Sequence, residues 1–179
     1  EHQALSRSRA IVGDKKLRDD FMRIRSEVLS SKREEAELAK QVNSMRDKIE
    51  SEKANKHNIL DVVKYGKGGL NDIEFLLQYL FLLNANQHKN LVNIKDISCK
   101  NLISEFRKLK VFNKSQCDDL LSAYNAYRDF LMRYNLKYLD FENNFNNDSK
   151  NNLLGDHLGF KSIEKHKKIV IDILSDFIK

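Results

Sequence analysis

The stretch VKYGKGGLNDIEFLLQYL, Val63 to Leu80, places Gly66, Gly68 and Gly69 directly before an apolar helix. Main-chain amides at such a helix start can bind a phosphate group, because the helix dipole favours anions there. The spacing lacks the Gly-Lys-Ser/Thr of a nucleotide-binding P-loop. A tight turn with positive φ, closed by Asp72 in the first helical turn, needs the same glycines. The sequence favours the turn over the phosphate cradle.

A polar track runs along one edge of this apolar helix. Asn71, Glu74 and Gln78 follow each other at three-to-four spacing, so their side chains share a helical face. Glu74 could accept hydrogen bonds from a ribose, an arginine of a partner domain or a metal-bound water. It could equally be the solvated edge of an amphipathic helix, which is the commoner role of a lone glutamate.

The first fourteen residues, EHQALSRSRAIVGD, carry a second group of polar side chains. His2, Ser6 and Arg9 lie on one helical face, and Gln3 and Arg7 lie beside it. Such a face could contact phosphate or a neighbouring domain, and exposed charge is the simpler alternative. The helix begins without a capping residue, so we expect the chain to be a piece of a longer protein.

Several other kinds of chemistry find no support in the residue pattern. The histidines lack metal-ligand spacing, no Ser-His-Asp arrangement is visible, and no close acidic pair could hold two magnesium ions. Cys99 and Cys117 form no CxxC motif, which favours a reducing, cytoplasmic setting. The net charge of +6 comes from 32 basic residues interleaved with 26 acidic ones, which disfavours nucleic-acid binding. No apolar run is long enough to cross a bilayer.

The elements that must position these residues are predicted to be helices. The chain has no proline and shows repeated three-to-four apolar spacing. We therefore expect an all-α fold, a helical bundle with an up-and-down four-helix-like core and extra helices. We expect a bundle domain over 1–140, an Asn-rich loop over 141–161, and a C-terminal helix over 162–179 that docks on the bundle. The predicted helices cover about 1–12, 14–29, 31–54, 70–83, 94–109, 115–140 and 162–179.

Some of these elements have faces that the pattern assigns. In the second helix Phe21, Ile24 and Val28 are expected to be buried, and Asp14 is expected to cap its start. The helix from Leu70 is apolar on a broad side, which is typical of the central helix of a bundle. Asn58 to Gly66, NILDVVKYG, is predicted to be an edge strand or an extended connector.

Four segments together resemble a known family, in order and in spacing. They are EHQALSRSRAIVGD, VNSMRDKIE, VKYGKGGLNDIEFLLQYLFL and AYNAYRDFLMRYNL. They resemble the C-terminal part of the bifunctional glutamine synthetase adenylyltransferase and adenylyl-removing enzymes. The resemblance covers the chain to about Leu139.

The resemblance implies the helical accessory domain of the adenylylating nucleotidyltransferase unit, which acts in nitrogen metabolism. The parent enzyme would transfer AMP from ATP to a tyrosine of glutamine synthetase, with Mg²⁺, in the cytoplasm. The magnesium-binding acidic motif would lie in an upstream catalytic domain of the same chain, so this fragment by itself would be inactive and hold neither ATP nor Mg²⁺. The alternative function is a regulatory module that binds the PII protein or glutamine.

The resemblance also implies which residues face the catalytic domain or lie near the nucleotide, although none of them is catalytic. The family varies at the positions of Gly66 and Lys67, so the resemblance gives these two residues no phosphate-binding role. Glu1, Gln3, Ile73 and Phe75 match the family pattern as well. The interface or nucleotide-proximal residues are His2, Arg7, Arg9, Lys64, Gly68, Gly69, Asp72 and Glu74.

Overall fold

A computed structural model describes residues 2–54, 58–94, 96–138 and 160–178. These residues form helices and no strand, which confirms the all-α prediction. The helices are α1 (His2–Ser6), α2 (Lys15–Leu29), α3 (Glu35–Lys53), α4 (Ile59–Tyr65), α5 (Leu70–Asn84), α6 (Lys89–Val92), α7 (Cys99–Lys108), α8 (Lys114–Tyr138) and α9 (Phe160–Phe177). Among these described helices, none combines the length and the hydropathy that a bilayer span needs.

Helix α5 is the centre of the bundle, as its apolar sequence predicts. It contacts α1, α3, α4, α7, α8 and α9. Its side chains are buried on nearly every side, from Leu70 and Ile73 to Phe81 and Leu82. A helix that is apolar all round is stable only inside a core, so α5 organises the helices packed on it.

Helix α1 is shorter than the predicted helix over 1–12 and ends at Ser6. The hydroxyls of Ser6 and Ser8 donate to the carbonyls of Gln3 and Leu5, at 2.6 and 2.8 Å. Arg25 donates to the carbonyls of Leu5 and Ser6. The Arg7 and Ser8 amides donate to the carbonyls of Ala4 and Leu5 in tight turns, and the α-helix does not continue past Ser6.

Helix α2 begins where the sequence predicts but faces the core differently. The carboxylate of Asp14 accepts from the Lys16 amide at 2.8 Å and caps the helix. The prediction that Phe21, Ile24 and Val28 form the buried face is wrong, because Arg25 and Leu29 are the buried residues. Ile24 keeps 52% of its surface exposed.

The prediction of a strand or connector over Asn58–Gly66 is also wrong. Residues Ile59–Tyr65 form α4, and the Asn58 side chain caps it by accepting from the Leu60 amide at 3.0 Å. Ile59 and Val63, four residues apart, face the core together. β-Branched residues favour strands only when a sheet is present to pack against.

The remaining predicted helices shift at their ends. Helix α3 starts at Glu35 instead of residue 31, because Glu34 caps it. The predicted helix over 94–109 is reduced to α7, which Ser98 caps, and the separate turn α6 precedes it. The Asn-rich loop predicted for 141–161 falls on residues that the structure does not describe, except for Phe160 and Lys161, which belong to α9.

Candidate functional site

The glycine-rich turn between α4 and α5 is a closed corner inside the bundle. Gly68 has φ +70°, a left-handed conformation that favours glycine. Its amide donates to the Asp72 carboxylate at 2.8 Å, and its carbonyl accepts from the Tyr127 hydroxyl at 2.7 Å. A Cβ on Gly68 would overlap the Lys167 carbonyl of α9. The corner is therefore held by α5, α8 and α9 together.

The amides of this corner are not free to bind an anion. The Gly66 amide donates to the carbonyls of Asp61 and Val62, and the Gly69 amide donates to the Gly66 carbonyl at 2.9 Å. With the Gly68 amide on Asp72, all three glycine amides have partners within the chain. This confirms the tight turn with positive φ and excludes the phosphate cradle at this corner.

Asp72 is buried and serves the same corner. Its carboxylate accepts from Arg46 Nε at 2.9 Å and from Nη2 at 2.8 Å, a two-point ion pair between α3 and α5. Burial opposes the charge on Arg46, but the hydrogen bonds and charge of Asp72 outweigh it and raise the Arg46 pKa. Asp72 therefore has both oxygens engaged inside the fold.

The Tyr127 ring locks the corner from α8. Burial raises the pKa of Tyr127, with the nearby charges of Glu164 and Asp72 adding to the effect. The hydroxyl therefore keeps its proton and remains a donor to the Gly68 carbonyl. The His166 ring of α9 packs edge-on against Tyr127, with centroids 6.4 Å apart.

Glu74 lies at the surface beside this corner and is paired with Arg7. The two side chains approach to 3.2 Å, with 43% of Arg7 and 28% of Glu74 exposed. The structure thus joins two sequence-predicted residues that lie on different helical segments. His2 and Arg9 are exposed near the same N-terminal segment.

Lys64 is exposed on α4 and is not joined to this pair. Its ammonium lies 5.0 Å from the centre of the Tyr65 ring. Within the described residues, no hydrogen bond or ion pair links Lys64 to Glu74. The predicted site residues therefore divide into a surface group, namely the exposed His2, Arg7, Arg9 and Lys64 with the half-buried Glu74, and a buried group, namely Gly68, Gly69 and Asp72.

Three residues lie around Glu74 that the sequence did not place near it, namely Tyr124, Arg128 and the buried Cys99. Burial, and then the charge of Glu74, raises the pKa of the Cys99 thiol. Burial raises the pKa of Tyr124, and the nearby Cys99 raises it further. The Arg128 guanidinium lies 6.0 Å from the centre of the Tyr124 ring. We call Arg7, Glu74, Tyr124 and Arg128 the arginine patch.

The arginine patch presents two guanidinium groups and one carboxylate on an otherwise mixed surface. Guanidinium groups bind carboxylates and phosphates through paired N–H donors, and they also stack on aromatic rings. Arg128 lies in the segment AYNAYRDFLMRYNL, whose resemblance to the family marks the segment as a whole and not this side chain. The patch can therefore bind a carboxylate, a phosphate or an aromatic group of another surface.

A groove of about 570 Å³ lies on the other side of α1, between α1, α3 and the α2–α3 connection. His2, Gln3, Lys32 and Glu37 contribute polar groups to its walls, and Leu38 contributes an apolar surface. The Nε2 atom of Gln3 is buried and has no hydrogen-bond partner in the described part of the chain. The volume of this groove falls in the range of small-molecule sites.

The described donor set does not fit a magnesium site. Across residues 2–54, 58–94, 96–138 and 160–178, no three His, Cys, Asp or Glu side chains are placed so that they could hold a metal ion. Both oxygens of the buried Asp72 carboxylate are already hydrogen-bonded. Magnesium needs several free oxygen ligands in octahedral positions, which these carboxylates do not provide.

Comparison with known proteins matches most of the chain. Residues 36–170 match the family model described as GlnD PII-uridylyltransferase. The chain is 34% identical over 137 residues to a bifunctional glutamine synthetase adenylyltransferase/adenylyl-removing enzyme of Burkholderia mallei. It is 36% identical to the proteins of the same name from Shewanella loihica, over 138 residues, and Pasteurella multocida, over 137.

These alignments cover different shares of this chain and of the relatives. Each covers 76% of this chain, but only 14% of the relative. The chain therefore spans about 14% of the length of the curated relatives that it matches.

Proposed function

The chain belongs to the GlnD PII-uridylyltransferase family, and from this premise we propose that it is the helical accessory domain of a glutamine synthetase adenylyltransferase. The parent enzyme transfers AMP from ATP to a tyrosine of glutamine synthetase, and a second unit removes it. The observation that carries this proposal is the 34–36% identity to enzymes of that name over about three quarters of the chain.

The side chains indicate which part of the parent enzyme holds the nucleotide and metal and which part positions the substrates. Phosphoryl and nucleotidyl transfer depend on charge stabilisation by metal ions and on positioning. The described residues supply no acidic cluster, so ATP and Mg²⁺ are held by a catalytic domain elsewhere in the parent. This chain contributes cationic and hydrogen-bonding groups that position the nucleotide or the target. Its partners are that catalytic domain and glutamine synthetase, in the cytoplasm.

The exposed predicted residues are the ones that meet the catalytic domain in this proposal. His2, Arg7, Arg9, Lys64 and Glu74 have accessible polar groups. The buried glycine corner acts indirectly, by holding the exposed residues in place. Gly68, Gly69 and Asp72 fix the start of α5 and therefore the place of Glu74, one turn further along.

The test is AMP transfer in the full-length enzyme. Glu74→Ala and Lys64→Ala should each lower kcat/KM for labelling of glutamine synthetase by about 10- to 100-fold, as expected when a positioning contact is lost. Stability should change little, because the exposed pair of Arg7 and Glu74 contributes roughly 0–1 kcal/mol.

A matched control is Glu105→Ala. Glu105 is 25% exposed, pairs with Lys108 on α7 and is not part of the arginine patch. It should lose neither activity nor stability. Full AMP transfer by both Glu74→Ala and Lys64→Ala, or an equal loss in Glu105→Ala, would contradict the proposed role.

A second candidate function is a regulatory module for the PII protein or for glutamine. The groove beside α1 favours it, because Gln3 Nε2 is a buried donor that a ligand oxygen could satisfy. Titration calorimetry of the 179-residue chain with PII and with glutamine separates the two functions. The accessory domain alone should bind neither, whereas glutamine binding that Gln3→Leu abolishes would favour the regulatory module.

A further inference from the structure

Helix α2 carries an apolar face that the other described residues cover only in part, since Phe21 and Val28 are half-buried while Leu17 and Ile24 are exposed. Leu17, Phe21, Ile24 and Val28 recur at four, three and four residues, so they form one stripe along the helix. We call these four residues the α2 stripe. Leu17 is 68% exposed and Ile24 is 52% exposed. Ile11 and Val12, which precede Gly13 and the capping residue Asp14, are 75% and 88% exposed.

The orientation of α2 is fixed by Arg25, a buried residue that the apolar pattern did not select. Its guanidinium donates to the carbonyl of Leu5 at 3.0 Å, of Ser6 at 2.9 Å and of Val92 at 2.8 Å. These carbonyls lie at the C-terminal ends of α1 and α6, where the helix dipoles favour a cation.

Rotating α2 to bury the stripe would withdraw Arg25 from these carbonyls. The guanidinium and the carbonyls would then lose their partners in a buried place, which is costly. The described chain therefore holds Leu17 and Ile24 outward, although the spacing of the stripe is that of a buried face. This conflict between pattern and exposure indicates that something outside these residues covers the stripe.

The edge of the stripe indicates a protein surface as the cover. Arg23 pairs with Asp20 at 3.4 Å and with Glu27 at 3.0 Å, so the cation at this edge is already paired. An apolar centre with a polar, self-compensated rim is the usual anatomy of a protein interface. A surface built for phosphate would leave its cations unpaired.

We propose that the α2 stripe, with Ile11 and Val12, is the face on which the remainder of the parent polypeptide packs. This inference rests on the proposed function, because it takes the parent to have the length of its relatives, of which the chain spans only 14%. The stripe also follows α1 directly, and α1 leads into Arg7 of the arginine patch. Contact through α1 therefore brings α2 to the same neighbour.

Hydrogen exchange tests the proposal without depending on activity. The amides of α2 should exchange at least tenfold more slowly in the full-length polypeptide than in the 179-residue chain, because covering the helix suppresses its local opening. Equal exchange rates in the two proteins would overturn the proposal.

Single substitutions locate the effect on the stripe. Leu17→Ser and Ile24→Ser should leave the melting temperature of the 179-residue chain unchanged, but should remove the added protection of α2 in the full-length polypeptide. Ile171→Ser is the matched control, since Ile171 is 42% exposed on α9. Retained protection in both stripe variants, or the same loss in Ile171→Ser, would refute the assignment.

Two further outcomes separate this inference from others. Sedimentation of the 179-residue chain should show a monomer, and a dimer that Ile24→Ser dissociates would assign the stripe to a second copy instead. A full-length polypeptide that protects α2 but does not label glutamine synthetase would contradict the proposed function only. Labelling without protection would contradict only the docking face.

Discussion

Gly68→Ala is the substitution that most directly tests how the glycine corner is built. A methyl group at this position meets two separate penalties. The φ of +70° is left-handed, which costs an alanine about 1–2 kcal/mol relative to glycine. The new carbon would also overlap the Lys167 carbonyl oxygen and lie 2.8 Å from the carbonyl carbon.

The second penalty arises because the obstacle is backbone. Restoring an ordinary contact of about 3.5 Å requires α9 to move by roughly 1 Å or more. Overpacking of this kind costs about 1–3 kcal/mol. We therefore expect a total loss of about 2–5 kcal/mol in the free energy of unfolding. For a chain of this size, the melting temperature should fall by roughly 5–15 °C.

Urea unfolding followed by circular dichroism measures the loss, and hydrogen exchange locates it. Exchange should become faster in α9, because α9 is the element displaced. Gly13→Ala is the control, since Gly13 also has positive φ, at +133°, but an added Cβ there would meet only the Arg18 side chain at 3.9 Å. Equal losses in the two variants, with α9 exchange unchanged, would refute the argument from packing.

Three other measurements test different parts of the structure. Lys110→Gly should raise the free energy of unfolding by about 1 kcal/mol, because Lys110, just after the Leu109 cap of α7, has φ +60°; thermal unfolding measures this gain, and an unchanged melting temperature would count against strain at Lys110. Asp72→Asn should lower the free energy of unfolding by about 3 kcal/mol, because Arg46 loses its buried partner. Urea unfolding measures this loss, and a loss below about 1 kcal/mol would contradict the expectation. Burial raises the pKa of Cys99 and Cys117, so the folded chain keeps protons that the unfolded chain loses above about pH 8.5; stability should fall as pH rises from there, and a urea midpoint that is constant to pH 10 would contradict this.

The sequence was a good guide wherever the deciding interaction is local. The cap at Asp14, the start of α5 and the positive φ of Gly68 each depend on residues within a few positions of one another. Helical propensity and apolar spacing act over the same short range. These features were predicted correctly because the same neighbours are present before and after folding.

The predicted site was harder to place, because residue type does not specify distance between helices. The pairing of Arg7 with Glu74 joins residues that are far apart in the chain. Asp72 was assigned to the interface by resemblance, yet its carboxylate is occupied by Arg46 from α3. Arg128 and Tyr124 belong to the arginine patch because α8 packs beside α5, a contact that the sequence pattern does not specify.

The sequence by itself determined the helical class, the burial of α5 and the closed glycine turn, since these follow from short-range periodicity and backbone sterics. Only the tertiary structure decided that Asn58–Gly66 contains a helix and that α2 turns Arg25 inward. The Arg25 guanidinium reaches a carbonyl 67 residues away, and the Tyr127 hydroxyl reaches one 59 residues away. Backbone carbonyls are present in every residue, so no pattern of side chains reveals which of them a distant donor will meet.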